Sequence, residues 1–181
     1  MKKLIILDRD GVINKDSDSY IKSPEEWIPI PGSIEAISKL SEAGYLIAIA
    51  TNQAGIARGY FTKADLNSMH QKMVTLVEEC GGKINTIRFC PHHPNDNCLC
   101  RKPKPGMPTS ILEDFNILPE NSWFVGDALT DIQAGKSAGC RTVLVKTGKG
   151  AKSLENLKKL TNTLVYDSLL TFCENILTVG K

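Results

Sequence analysis

The segment Leu4-Ile5-Ile6-Leu7-Asp8-Arg9-Asp10-Gly11 decides the fold class of this chain and places its candidate site. Four consecutive apolar residues, without the alternation of a half-exposed strand, predict a strand buried on both faces of a parallel sheet. Asp8 and Asp10 follow directly, at the edge where open α/β sheets bind ligands. Gly11 lets the chain turn away. For this segment alone, an acidic turn without chemistry is the alternative, since Asp and Gly are common turn residues.

Two further apolar runs, residues 45–50 and 123–125, are also followed by polar side chains. These side chains are Thr51, Asn52, Gln53, Asp127 and, four residues later, Asp131. A loop interrupted by Pro103 adds the cations Arg101 and Lys102. Because parallel strands carry their carboxyl ends at one edge of a sheet, these groups are expected to form one polar site.

The residue types in this set fit the hydrolysis of a phosphate ester. Asp8 can attack phosphorus to give an aspartyl-phosphate, and Asp10 is then free to act as general acid and base. An anionic nucleophile is repelled by phosphate, so we expect Mg²⁺ to be held by Asp8, Asp127 and a carbonyl near Asp10. The oxygens of the transferring phosphoryl group would be held by Thr51, Asn52 and Lys102.

These motifs, in this order, resemble the haloacid dehalogenase (HAD) superfamily of phosphotransferases over about residues 4–148. The resemblance implies a Rossmann-like α/β fold with a parallel sheet of order 5-4-1-2-3, flanked by helices and without a large cap domain. It also implies that Asp131 orients Lys102 or a metal-bound water. The equal alternative for Asp131 is an ordinary acid at a helix N-terminus, favoured by the helix dipole.

Residues 90–100 concentrate three of the six cysteines and two of the three histidines of the chain. Thiolate and imidazole are the preferred ligands of tetrahedral zinc, which would order a proline-rich loop of about residues 90–106. The expected ligands are Cys90, His92, Cys98 and Cys100, with His93 as the alternative histidine. A disulfide or free thiols are the alternatives to zinc. A disulfide is disfavoured, because no signal peptide or transmembrane stretch is visible, which indicates a reducing, cytoplasmic location.

Together with segments 8–14, 51–59 and 100–107, this loop makes the chain similar to the D-glycero-D-manno-heptose 1,7-bisphosphate 7-phosphatases and the histidinol-phosphate phosphatases. The resemblance implies a Mg²⁺- and Zn²⁺-containing hydrolase that removes the 7-phosphate of a heptose bisphosphate, a step towards nucleotide-activated heptose and lipopolysaccharide. Histidinol phosphate is the alternative substrate. The implied substrate contacts are Asp16, Ser17, Asp18, Ser19, Tyr20, Asn52, Gln53, Ala54 and Arg101.

One position departs from the family pattern. Family members commonly carry Lys or Arg at position 128, where this chain has Ala128. The chain therefore lacks one cation that would face the substrate. Arg101 is the sequence candidate for gripping a second phosphate, because its planar fork binds phosphate in a bidentate way. Its alternatives are pairing with a surface acid or stabilising the zinc-loop thiolates.

Composition sets wider limits. A chain of 181 residues, 41% hydrophobic and 23% charged with a net charge of +2, predicts one domain over residues 1–181, with a C-terminal extension from about residue 152. No basic stripe appears, so neither nucleic acid nor a membrane is an expected partner, and a monomer is expected. A non-catalytic zinc-containing binding module and a nucleic-acid 3'-phosphatase are the alternative functions. The extension is predicted to contain a strand over 164–166 and a helix over 167–177, and His70 is predicted to be a surface or packing residue.

Overall fold

The computed structural model describes residues 2–157 and 162–179 of the chain. Its strands are β1 (Lys3–Leu7), β2 (Tyr45–Asn52), β3 (Thr86–Cys90), β4 (Ser122–Gly126), β5 (Arg141–Val145) and β6 (Thr163–Tyr166). All neighbouring strands pair in parallel, in the order β3-β2-β1-β4-β5-β6. The predicted order 5-4-1-2-3 is therefore confirmed, and β6 extends the sheet beyond β5.

Helices connect these strands. They are α1 (Ser33–Glu42), α2 (Lys63–Glu79), α3 (Gly106–Phe115), α4 (Leu129–Ser137), α5 (Gly150–Leu157) and α6 (Leu169–Val179). Thr62 caps α2 in a reciprocal box with Asp65, as the sequence predicts. The sequence did not predict α5. This short helix has few apolar residues, and Leu154 attaches it to the small cluster of Ile132 and Leu144.

Both faces of β1 are covered, which explains its unbroken apolar run. Ile5 and Leu7 pack on one face, in the cluster that includes core residues of α1, α2 and α6. Leu4 and Ile6 pack on the other face, against α3. All four side chains are fully buried. Successive side chains of a strand point to opposite faces, so a strand covered on both sides needs apolar residues at every position.

The strand order places the site. The chain runs from β1 outwards to β2 and β3, then returns to β4 on the other side of β1. Loops leaving β1 and β4 at their carboxyl ends therefore diverge and leave a crevice between them. The amide N–H of Asp8 still bonds to the carbonyl of Val125, so Asp8 enters the crevice directly from the sheet. In the described part of the chain, no helix is long and apolar enough to cross a membrane.

Candidate active site

Three carboxylates and one ammonium group form the centre of the crevice. Asp8, Asp127 and Asp131 each place a carboxylate oxygen within 4.8 Å of the others. The Nζ atom of Lys102 lies 2.8 Å from Asp8 Oδ1 and 2.7 Å from Asp131 Oδ1, and it donates to the carbonyl of Ala50 at 2.8 Å. Lys102 is almost completely buried. Its ammonium group therefore joins two carboxylates and holds the side chain rigidly.

One ammonium group does not balance three buried carboxylates. Burial raises the pKa of Asp8 to about 7, helped by the charge of Asp131 and opposed by Lys102. Burial, with the charges of Asp8 and Asp131, raises the pKa of Asp127 to about 8. Burial would lower the pKa of Lys102, but the two carboxylates outweigh it and the pKa rises. Hard oxygen ligands with excess negative charge fit a divalent cation such as Mg²⁺.

Asp10 lies outside this group of three carboxylates. Its carboxylate accepts hydrogen bonds from Arg9, Asn14 and Gln53. Burial would raise the pKa of Asp10, but the charge of Arg9 and the hydrogen bond from Asn14 outweigh it, and the pKa is lowered. Arg9 itself is fully buried. The carboxylate of Asp10 is thus fixed and ionised, and only its backbone carbonyl is left as the metal ligand that the sequence predicts.

Residues at the end of β2 connect these groups. The carboxamide of Gln53 donates to both Asp10 Oδ2 and Thr51 Oγ1, each at 2.9 Å. The hydroxyl proton of Thr51 is therefore left for a ligand. The carboxamide of Asn52 bonds to the backbone N–H and carbonyl of Lys102 at 3.1 Å. Asn52 thus positions Lys102, a role that the sequence did not indicate.

A cavity of about 280 Å³ opens above these side chains. It brings together the predicted catalytic residues and every predicted substrate contact except Ser19. The side chain of Ser19 is exposed, and its amide N–H donates to Ser17 Oγ within a tight turn. Of the zinc-loop region, Arg101 and Lys102 line the cavity.

The cysteine-rich loop brings its four predicted ligands together. Cys98 Sγ lies 3.6 Å from Cys90 Sγ and 3.5 Å from Cys100 Sγ, and His92 Nδ1 lies 3.2 Å from Cys100 Sγ. A tetrahedral zinc site has edges of roughly 3.8 Å between sulfurs and 3.5 Å between nitrogen and sulfur. His93 instead accepts a hydrogen bond from the N–H of Asn95. No two of the six cysteines are bridged in the structure, which favours a metal site or free thiols over the disulfide alternative.

Comparisons with known proteins agree with this geometry. The chain is 53% identical over 175 residues to the D-glycero-beta-D-manno-heptose-1,7-bisphosphate 7-phosphatase of Pseudomonas putida, covering 97% of this chain and 99% of the relative. The chain belongs to this family. Its counterpart in Neisseria meningitidis is 52% identical, covering 97% of this chain and 95% of the relative. The HAD-hydrolase-like family model matches residues 99–172.

A solved structure of the same family superposes closely. The D,D-heptose 1,7-bisphosphate phosphatase of Bordetella bronchiseptica, in complex with magnesium and phosphate, is 46% identical with a TM-score of 0.96. The match covers 98% of this chain and 99% of that chain. The fold of this heptose bisphosphate phosphatase family member is therefore the HAD fold that the sequence resemblance implies.

Sequence reasoning missed the loop between β5 and α5. The amide N–H of Lys149 donates to Asp127 Oδ2 at 2.7 Å, and its Nζ lies 3.0 Å from Asp16 Oδ2. The hydroxyl of Thr147 donates to the carbonyl of Gly11 at 2.6 Å. The available signal was position alone, because this loop leaves an apolar strand at the same sheet edge as the other site residues.

Proposed function

We propose that this chain is a Mg²⁺-dependent phosphomonoesterase that converts D-glycero-D-manno-heptose 1,7-bisphosphate to the heptose 1-phosphate. The observation that carries the proposal is the cavity lined by Asp8, Asp10, Lys102 and Asp127, in a chain of this family. The names of the relatives favour the β anomer as substrate.

Asp8 is the nucleophile in this proposal. Its carboxylate attacks phosphorus, an aspartyl-phosphate forms, and the bond between phosphorus and the sugar oxygen breaks. Mg²⁺, held by Asp8, Asp127 and the carbonyl of Asp10, supplies positive charge that offsets the repulsion between carboxylate and phosphate. Lys102 and the Thr51 hydroxyl hold the oxygens of the transferring group. Their positions are set before substrate arrives, because both are buried and hydrogen-bonded.

Asp10 transfers the proton in both half-reactions. It gives a proton to the leaving sugar oxygen, and it later takes one from the water that attacks the aspartyl-phosphate. The low pKa of Asp10 suits the base step. A negatively charged substrate beside Asp10 raises that pKa and so favours the acid step. The hydrogen bonds from Arg9, Asn14 and Gln53 keep the carboxylate in place throughout.

Arg101 recognises the sugar end of the substrate. It lines the cavity, and its Nη1 atom is buried without a hydrogen-bond partner among the described residues. A buried, unpaired donor is costly unless a ligand satisfies it. The backbone N–H of Arg101, by contrast, forms a hydrogen bond with the thiol group of Cys98. The guanidinium group is therefore available to bind substrate. This favours recognition of the sugar end over stabilisation of the zinc-loop thiolates.

We also infer that Cys90, His92, Cys98 and Cys100 hold a structural Zn²⁺. The support is the near-tetrahedral spacing of the three sulfurs and one nitrogen. A closed site of this kind orders the loop that leads directly into Arg101 and Lys102. Six free cysteines support a reducing, cytoplasmic location, and the pairing of β6 with β5 supports one domain over residues 1–181. We further propose a monomer.

The test compares kcat/KM for both anomers of heptose 1,7-bisphosphate, histidinol phosphate and a 3'-phosphorylated oligonucleotide. We expect the β-heptose bisphosphate to exceed the other classes by about a hundredfold or more, roughly 2.7 kcal/mol of transition-state binding. Asp8→Asn should lose turnover, whereas the surface variant Asp114→Asn should keep it. A higher kcat/KM for histidinol phosphate would identify histidinol phosphate as the substrate instead. An active Asp8→Asn variant would refute the assignment of Asp8 as the nucleophile.

A further inference from the structure

A side cavity adjoins the catalytic cavity. It has a volume of about 400 Å³ and shares Asp18, Ala128, Thr130 and Lys149 with the catalytic cavity. Its outer wall adds Lys152 and the hydroxyl of Ser153, both near the start of α5. Ala128, whose side chain is short, is one of the four residues that line both cavities.

The cationic side chains that line the catalytic cavity differ in how firmly their ion pairs hold them. Among the described residues these cations are Arg101, Lys102 and Lys149. Lys102 is committed to two buried carboxylates. Arg101 enters from the side of β3 and Lys149 from the side of β5, and these strands lie on opposite sides of β1. Lys149 is therefore the cation of the catalytic cavity that also reaches the side cavity.

The backbone and the side chain of Lys149 are held differently. Its amide N–H is fixed by Asp127 Oδ2 at 2.7 Å. Its side chain is 56% exposed and pairs at the rim with Asp16 at 3.0 Å and Asp18 at 4.0 Å. The Lys149 end of both pairs is open to solvent and Asp18 is fully exposed, and solvent-exposed ion pairs are weak. The ammonium group can therefore leave its carboxylate partners for a phosphate group without disturbing the backbone at the metal site.

We propose that Lys149 determines specificity by binding the phosphate of the bisphosphate that is not transferred, at the side cavity across Ala128. This inference rests on the proposed function, since it requires a substrate with two phosphates. One phosphate occupies the catalytic carboxylate site, and the other meets the Lys149 ammonium group, with Lys152 and Thr130 nearby.

The test compares Lys149→Met with Lys146→Met, using β-heptose 1,7-bisphosphate and heptose 7-phosphate as substrates. Lys146 lies in the same loop, is similarly exposed and pairs with Asp167 outside both cavities. We expect Lys149→Met to raise KM for the bisphosphate about tenfold with kcat within about twofold, and to change KM for the monophosphate far less. Lys149→Arg should restore most of the affinity, and Lys146→Met should behave as wild type.

Four outcomes overturn the inference. An equal loss on both substrates, reproduced by Asp16→Asn, would mean that Lys149 only holds the Asp16 loop. Selectivity lost in Arg101→Ala and retained in Lys149→Met would assign the second phosphate to Arg101. A wild-type enzyme without activity on heptose bisphosphate would refute the proposed function and this inference with it. Wild-type activity with an unaffected Lys149→Met refutes this inference alone.

Discussion

Replacing Lys102 with Met removes the one ammonium group at the centre of the carboxylate cluster. Met keeps the length of the buried side chain, so the change is mainly electrostatic. Asp8 and Asp131, which lie 2.8 and 2.7 Å from Nζ, lose their shared counter-charge. Removing one partner of a buried ion pair costs about 3–5 kcal/mol, because the remaining charge is left without compensation. We expect the free energy of unfolding to fall by that amount at pH 8.

The loss should shrink as pH falls. Without Lys102, the pKa of Asp8 rises further above its value of about 7, so between pH 6 and pH 8 the folded variant carries on average about half a proton more on Asp8 than the folded wild type. A state that binds more protons is stabilised by lower pH, by about 1.36 kcal/mol per pH unit and proton. Between pH 8 and pH 6 this half proton amounts to about 1.4 kcal/mol. The difference between variant and wild type should therefore be about 1.6–3.6 kcal/mol at pH 6.

Urea unfolding at pH 6 and pH 8, without added Mg²⁺, measures both quantities. Lys104→Met is the matched control, because Lys104 bonds to the neutral oxygens of Asn97. It should cost under about 1 kcal/mol at either pH. Adding Asp131→Asn to Lys102→Met removes the uncompensated charge and should restore much of the stability. A loss that is equal at both pH values, or below about 1 kcal/mol at pH 8, would refute this electrostatic account.

Three further predictions follow from the site. In metal-free protein, the pKa values of about 7 at Asp8 and 8 at Asp127 exceed the ordinary 3.8, so the folded state binds more protons than the unfolded chain. Its Tm should fall as pH rises from 5 to 8.5 in a thermal scan, and Mg²⁺ should raise Tm at the alkaline end. Cys98→Ser should abolish stoichiometric zinc in elemental analysis and lower Tm. In Gly148→Ala, the new Cβ would lie 2.2 Å from Asp127 Oδ2, so we expect about tenfold weaker activation by Mg²⁺ in a titration of activity.

Each of these predictions has a control. A Tm that rises with pH in metal-free protein would contradict the two raised pKa values. Cys80→Ser should keep its zinc, because Cys80 is exposed and lies outside the cluster. Gly59 has a positive φ of 72°, like the 56° of Gly148, but a Cβ there meets nothing within 4 Å. Gly59→Ala thus carries the same backbone strain without the contact, and an equal effect of both substitutions on Mg²⁺ activation would show that strain alone is responsible.

The parts of the molecule that depend on local chemistry were predictable from the sequence. The apolar run of β1 and the carboxylates after it indicated a buried parallel strand with a site at its end. The capping box of Thr62 and Asp65 marked the start of α2. Burial of a strand and capping of a helix depend on residues within a few positions of each other. The family resemblance added the strand order, which local patterns do not contain.

Tertiary structure alone settled the questions that depend on distant contacts. His92 and His93 are the same residue type, and only the fold turns His92 Nδ1 towards Cys100. Asp131 accepts a hydrogen bond from the N–H of Ala128 at the start of α4 and also pairs with Lys102, so only the structure shows that it has the contacts of both readings. Lys149 carries no motif, yet the sheet order brings it to Asp16, far away in the chain. Such pairs form because loops from β1 and β5 converge at one sheet edge, and residue order along the chain does not encode that convergence.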